Sequence, residues 1–320
     1  MVTTTTTATV SPAATRVPHL RTTVRPRRQA RYLLRLARPG QWPKNLLVVS
    51  VPLLDLQTWR PAALGHLAWG IGTFTLAAII VYVLNDLVDR KRDAGHPKKW
   101  HRPIASGRIP PRTAMVFAVT LLILLLGAMS LQPWVWSGPV LVYLLLNVGY
   151  SAGLKHTPLL DVFMVAAGFG LRLIEGYLVL DTPISGWLFT TVFSVCLLLA
   201  VGKRRQELVS TGGAYRPALR GYTVPLTEQL MMLSGVLAAC SYLLYLRTEA
   251  PLGDNGPAAA AILAPLMLFT LFRYLQLVMV RGKGENPVRT LLRDRAIVVN
   301  GVLWVTLSAC FLLVTRMPFG

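Results

Sequence analysis

Nine apolar stretches recur along the chain, each near the roughly 20 residues that an α-helix needs to cross the hydrocarbon of a bilayer. They run approximately over 43–58, 64–86, 112–131, 134–150, 158–179, 184–202, 226–246, 258–280 and 296–315, the first and fourth being short. Backbone in hydrocarbon must satisfy its polar groups internally, so repeated spans of this length call for helices. Composition agrees. Of 320 residues, 53% are hydrophobic and 14% charged, against about 25% charged in a soluble domain. The expected fold is all-α: a polytopic membrane protein with nine transmembrane helices.

The formal charge of +20 would suit a nucleic-acid binder, but its distribution excludes nucleic acid as a partner. Lys and Arg gather in the N-terminal segment and in the loops after spans two, four, six and eight. Only Arg60, Arg247 and Arg316 fall on the opposite side, and Arg172 and Arg273 lie inside spans. The positive-inside rule then puts the N-terminus in the cytoplasm, and an odd number of spans puts the C-terminus outside. Residues 1–28 hold no apolar run of signal-peptide length and read as a disordered basic tail; 29–320 form the membrane domain. Arg31–Arg38 has the pattern of a basic amphipathic helix lying on anionic headgroups. Cys196, Cys240 and Cys310 sit in apolar runs without metal-ligand spacing, and no disulfide is expected.

The densest chemistry follows the second span, in Asn85-Asp86-Leu-Val-Asp89-Arg90-Lys91-Arg92-Asp93. Carboxylates at relative positions 0, 3 and 7 fall within about 60° of one another on a helix. Oxygen ligands of this kind suit Mg²⁺, held by one or two carboxylates plus substrate phosphates. Lys98, Lys99, Arg102 and Arg108 follow directly, so metal-holding acid stands beside anion-holding base. The plain alternative is a solvated helix end. A chain with only 13 acidic residues has few to place three on one face without use.

Two further groups lie on the same side. Tyr150-Ser-Ala-Gly-Leu-Lys155-His156-Thr-Pro158 joins spans four and five, with Pro158 suited to the first turn of the fifth helix. Asp161 and Arg172, eleven residues apart, share a face of that helix, with Gly168 between them. A charge at bilayer depth costs about 2.5–3.5 kcal/mol and marks a functional site by default; the alternative is that Arg172 pairs with Glu175, three residues on. After span six come Gly202-Lys203-Arg204-Arg205-Gln206-Glu207, then Tyr215, Arg216, Arg220 and Tyr222. Here ordinary positive-inside charge is the alternative, and Glu207 is the one acid that could reach a metal from a second helix. The five histidines show no metal spacing, and no nucleotide-binding or nucleophile-elbow motif is present.

Asn85-Asp86-x-x-Asp89-x-x-x-Asp93 resembles the first Asp-rich motif of the UbiA superfamily of intramembrane prenyltransferases. Arg38-Pro-Gly-Gln-Trp42-Pro-Lys44-Asn45, Tyr150 through His156, Gly168-Phe-Gly-Leu-Arg172, Gly202-Lys203-Arg204 with Glu207, and Leu292-Arg293-Asp294-Arg295 extend the resemblance over residues 38 to 295. Within the superfamily they are similar to the branch that transfers phosphoribose to a polyprenyl phosphate. The place of the second Asp-rich motif in the aromatic-acceptor branch is taken by Lys203-Arg204-Arg205-Gln206-Glu207, basic with a single acid.

The resemblance implies helices bundled around a cytoplasm-facing cavity in the plasma membrane. It implies 5-phosphoribosyl diphosphate as donor, decaprenyl phosphate or a similar lipid phosphate as acceptor, and a product destined for cell-wall arabinan. Mg²⁺ would lie on Asp86, Asp89 and Asp93, with Asn85 in support. Lys44, Arg102, Lys155, Lys203 and Arg204 would hold phosphates, and Tyr150 would position them. Asp161 and Arg172 would shape the ribose or lipid-phosphate end, with Glu207 nearby. Membrane lipids are partners, and assembly into homo-oligomers stays open. An aromatic prenyltransferase of quinone or haem biosynthesis is the alternative within the superfamily, and an anionic-metabolite transporter the alternative outside it.

Overall fold

The computed structural model describes residues 26–49, 61–95, 99–212 and 216–316. They are helical almost throughout: α1 (Pro26–Ala37), α2 (Pro61–Val88), α3 (Arg90–Ala94), α4 (Pro111–Met129), α5 (Gly138–Ala152), α6 (Leu160–Val179), α7 (Gly186–Thr211), α8 (Val224–Thr248), α9 (Gly256–Met279), α10 (Pro287–Arg293) and α11 (Arg295–Arg316). Eight helices among the described residues are long and apolar enough to cross a membrane. They match the second to ninth expected spans. The expected first span, 43–58, begins in a 3-10 segment, Pro39–Val49, and then leaves the described residues. Of the expected tail, 1–25 lie outside them, while α1 already begins at Pro26. His96 and Tyr215 also lie outside.

The helix boundaries follow from local chemistry. Prolines stand in the first turns of α4, α5, α8, α9 and α10, where a missing N–H costs nothing. Ser185 and Thr223 cap α7 and α8 by accepting from Leu188 N–H at 3.0 Å and Leu226 N–H at 3.2 Å. α7 ends on Gly212 in the left-handed region. Contrary to expectation, Pro158 is not inside α6. Leu159, with φ of 66°, intervenes, and the backbone of Gly221 lies so close to the Pro158 ring that a side chain there would clash.

α2 and α6 form the centre, each 56% buried across its span, while α11 at 11% lies on the rim. α4 and α5 flank α2; α6, α7, α8, α9 and α11 follow in sequence around the bundle. The 3-10 segment wedges between α2 and α6. It approaches so closely that a Cβ on Gly176 would lie 2.3 Å from the Val48 carbonyl oxygen, so only glycine fits there. Outward faces stay apolar, with Val116, Ile123, Leu233, Phe272 and Val299 exposed, as lipid contact requires. This antiparallel arrangement gathers the ends of α2, α5 and α7 and the starts of α6 and α8 at one end of the bundle.

Candidate active site

α2 breaks at Asp89 and resumes as the five-residue α3. Asp86 and Asp93, seven residues apart, are both 2% exposed and both meet one nitrogen of Arg102, at 2.9 and 2.7 Å. Arg38 adds a second guanidinium to Asp86 at 2.5 Å. Lys99 lies 3.9 Å from Asp93; burial pulls its ammonium below the ordinary lysine range, against the opposing pull of that carboxylate. Asp89 is turned elsewhere, both of its oxygens lying 3.0 Å from Lys155 Nζ. Asn85 joins the same turn through a short hydrogen bond from Ser151.

Among the described residues no three His, Cys, Asp or Glu side chains come close enough to share a metal ion. The expected three-carboxylate face is therefore divided in two, because cations from different segments, Arg102 and Lys155, hold its members at separate poles. The Asp86–Asp93 pair still fits Mg²⁺. Two buried carboxylates aimed at one cationic atom match the one or two carboxylates by which this ion is held.

A second cluster forms around Asp161, fully buried in the first turn of α6. It accepts from Arg204 Nε at 2.7 Å, Arg216 at 3.1 Å and the Tyr222 hydroxyl at 2.7 Å. Arg204 also donates to Glu207 at 2.7 Å, and Arg216 to Tyr150 at 2.9 Å. Burial, and then the bond to Asp161, push the Tyr222 phenol well above its usual range, so it stays a donor. This one carboxylate ties together α6, the end of α7 and the segment leading into α8. Arg204 is buried within it, whereas Lys203 is half exposed and only 3.9 Å from Glu207.

Arg172 does not pair with Glu175. Its Nε donates to Asn45 at 2.7 Å and its NH1 to the Gly168 carbonyl. The rings of Phe74, Tyr143 and Phe169 surround it, with centroids 5.1, 4.7 and 5.6 Å away. Asn45 is fixed in turn by donating to Thr75 at 3.0 Å. Asp161 and Arg172 share a helix but take part in different clusters. Glu175 is fully buried, and neither of its oxygens is hydrogen-bonded. The other arginine expected within a span, Arg273, holds Asp294 through Nε at 3.2 Å and NH2 at 2.9 Å. This bond, first of all, lowers the Asp294 carboxyl below its usual range.

Lys155, Ser151 and Tyr150, all around the end of α5, reach both clusters: Asp89 and Asn85 on one side, Arg216 and through it Asp161 on the other. The sequence had named Asp86, Asp89, Asp93, Arg102, Lys155, Tyr150, Asp161 and Arg204, and all of them stand in this network. Lys44 is half-buried in the 3-10 segment. Arg38, Asn45, Ser151, Arg216 and Tyr222 had received no role. Arg38 and Asn45 flank the Pro-Gly-Gln-Trp-Pro-Lys run already noted, and unpaired polar residues bordering an apolar span are the signal that marks them.

The profile of the UbiA prenyltransferase family matches residues 56–286. The chain is 30% identical over 291 residues to decaprenyl-phosphate phosphoribosyltransferase of Corynebacterium glutamicum, covering 88% of this chain and 86% of that protein. It is 31% identical over 281 residues to the protein of the same name from Mycobacterium tuberculosis, covering 85% and 91%. Among solved structures, a UbiA homologue from Archaeoglobus fulgidus bound to GPP and Mg²⁺ superposes with a TM-score of 0.66 at 17% identity, over 88% of this chain and 99% of that one. Its complex with DMAPP and Mg²⁺ gives 0.67 at 18%, with the same coverage. The buried acid–base network at one end of a membrane helix bundle is thus that of an enzyme, and the chain belongs to the UbiA prenyltransferase family.

Proposed function

We propose that this enzyme transfers 5-phosphoribose from 5-phosphoribosyl diphosphate to a polyprenyl phosphate, decaprenyl phosphate being the acceptor named for its relatives. The observation that carries the reading is the surplus of cations at the site. Arg38, Arg102, Lys155, Lys203, Arg204 and Arg216 surround Asp86, Asp89, Asp93, Asp161 and Glu207. Such a site suits two phosphorylated substrates better than one prenyl diphosphate and an aromatic acceptor that carries no phosphate.

The acceptor phosphate is already anionic, so one of its oxygens attacks ribose C1 without a strong general base, and the C1–O bond to diphosphate breaks. Lys155, Lys203 and Arg102 would bind and orient the phosphates, placing fixed positive charge where the leaving group gains negative charge. Asp86 and Asp93, the pair aimed at one point, would hold Mg²⁺, and Asp89, drawn to Lys155, would support them from beside. The ion would supply Lewis-acid polarisation of the diphosphate oxygens. Asp161, through Arg204 and Arg216, keeps the ends of α5 and α7 in register. Arg172 would set the floor of the ribose or lipid-phosphate end, and the lipid tail would enter between helices.

The charge bias supports nine spans, with 43–58 as the first, the N-terminus and the site in the cytoplasm, and the plasma membrane as location. Residues 1–28 would be a tail dispensable for catalysis, and the product would feed cell-wall arabinan. The test is incubation of membranes containing the protein with labelled phosphoribosyl diphosphate and decaprenyl phosphate, beside farnesyl diphosphate with 4-hydroxybenzoate. Label should enter the lipid fraction only in the first. Prenylation of the aromatic acid alone would overturn the reading.

A further inference from the structure

Helix α1 seats its apolar side in the core: Leu36 and Ala37 are buried in one cluster with Ile104 and Ile109, and Tyr32 and Leu33 pack against it. Arg31 and Arg35 are left exposed, one turn apart, on either side of the half-buried Tyr32. From a different segment comes Arg108. Its position is fixed by Gly107, at φ of 71°, and by Ile109, whose N–H donates to the Pro103 carbonyl at 3.0 Å. These four residues line a cleft of about 330 Å³. The guanidinium carbons of Arg35 and Arg108 lie 5.9 and 5.6 Å from the centre of the same Tyr32 ring.

The cleft is charged on one side only. No acidic residue precedes Asp55, and none lies between Asp93 and Asp161, so neither contributing segment brings a counter-charge. Arg38, Arg102, Arg204, Arg205, Arg216 and Arg273 each hold a carboxylate. Arg31, Arg35 and Arg108 hold none among the described residues. Three like charges held around one cleft by packed backbone repel one another until an anion enters. Guanidinium forks match phosphate oxygens best.

We propose that Arg31, Arg35 and Arg108, arranged around Tyr32, form a phosphate-binding cleft separate from the Asp86–Asp93 pair. Its ligand is a phosphate-bearing anion, which can arrive as the headgroup of an anionic phospholipid or as soluble phosphate. The cleft is open and its arginines are exposed, so the ligand binds from the membrane surface or from water without displacing an internal partner.

The experiment uses the full chain in nanodiscs and reads the thermal unfolding midpoint in two arms. One arm titrates inorganic phosphate into phosphatidylcholine discs; the other replaces phosphatidylcholine stepwise by phosphatidylglycerol. The wild type is compared with Arg35→Gln/Arg108→Gln and with Arg220→Gln/Arg281→Gln, which removes the same charge from exposed positions elsewhere. The expected result is a stabilisation by one or both anions whose half-saturation is at least about tenfold weaker in the cleft variant and unchanged in the control. Loss in the phosphate arm assigns a soluble ligand, and loss in the phosphatidylglycerol arm assigns a headgroup. Equal behaviour of the cleft and control variants in both arms overturns the proposal. Should the double variant not fold, Arg31→Gln reads the same increments against Arg220→Gln.

Discussion

The ammonium of Lys155 lies 3.0 Å from each carboxylate oxygen of Asp89, joining the turn after α5 to the break that ends α2. The two residues are 66 positions apart. Both are only partly exposed, so solvent screens the pair less than it would a surface pair. Among the described residues, Lys155 is the one cation that touches the Asp-rich motif while its own segment leads on to Tyr150, Arg216 and Asp161.

Lys155→Met should lower turnover by roughly 10- to 150-fold, the effect of losing a charge-assisted hydrogen bond of about 1.5–3 kcal/mol. The unfolding midpoint should move little, because Asp89 keeps access to water. Steady-state kinetics beside thermal unfolding in detergent checks this. Full activity in Lys155→Met would remove the residue from the chemistry.

Arg204 and Lys203, neighbours in sequence, should respond in opposite ways. Arg204→Ala strips a buried carboxylate of a partner and should destabilise the fold by about 3–5 kcal/mol, with Asp161→Ala producing a similar loss. The double variant should fall well short of the sum, since both remove one ion pair. Lys203→Ala should leave stability unchanged and raise the KM for the donor. Unfolding midpoints and KM values for the four variants decide this.

Arg172→Lys should be nearly as damaging as Arg172→Met. A lysine supplies one compact charge and cannot donate to Asn45 and to the Gly168 carbonyl together while lying among three rings. Asn45→Ala should share the phenotype. Activity of the lysine variant within about twofold of wild type, on the order of 0.4 kcal/mol, would show that charge alone matters there.

Much of this was readable in the chain, and the limits have a physical cause. Hydropathy alone placed α2, α4–α9 and α11, because an apolar run of bilayer length has few other uses; only the end of α7, which runs on from 202 to Thr211 through the charged Lys203–Glu207 stretch, lay well outside the expected limits. Spacing grouped Asp86, Asp89 and Asp93 on one face; Asp86 and Asp93 do meet at Arg102, while Asp89 is drawn away by Lys155. Periodicity describes the faces of one helix and not which faces meet. Nothing in the spacing therefore linked Arg38 to Asp86, 48 residues away, or brought Arg204, Arg216 and Tyr222 to Asp161 across 43 to 61 residues. The i,i+3 rule offered Arg172–Glu175. Asn45, 127 residues away, took the guanidinium instead, leaving Glu175 without a hydrogen bond.

Removal of divalent metal should stop turnover without unfolding the protein, because Arg38 and Arg102 already neutralise Asp86 and Asp93. Asp93→Asn should raise the Mg²⁺ concentration for half-maximal rate by about tenfold or more, on the scale of one charged ligand. Asp86→Asn should lose activity outright. Wild-type Mg²⁺ dependence in both variants would exclude the pair as ligands.

The most direct measurement follows the oxygen between ribose and phosphate. Purified protein is given decaprenyl phosphate carrying ¹⁸O in its phosphate together with unlabelled phosphoribosyl diphosphate, and the products are read by mass spectrometry. The expected result is a phosphoribosylated lipid phosphate that retains all of the ¹⁸O, with unlabelled diphosphate released in equal amount. Release of ¹⁸O into the diphosphate, or no phosphoribosyl lipid while an aromatic acceptor is prenylated, would contradict the account.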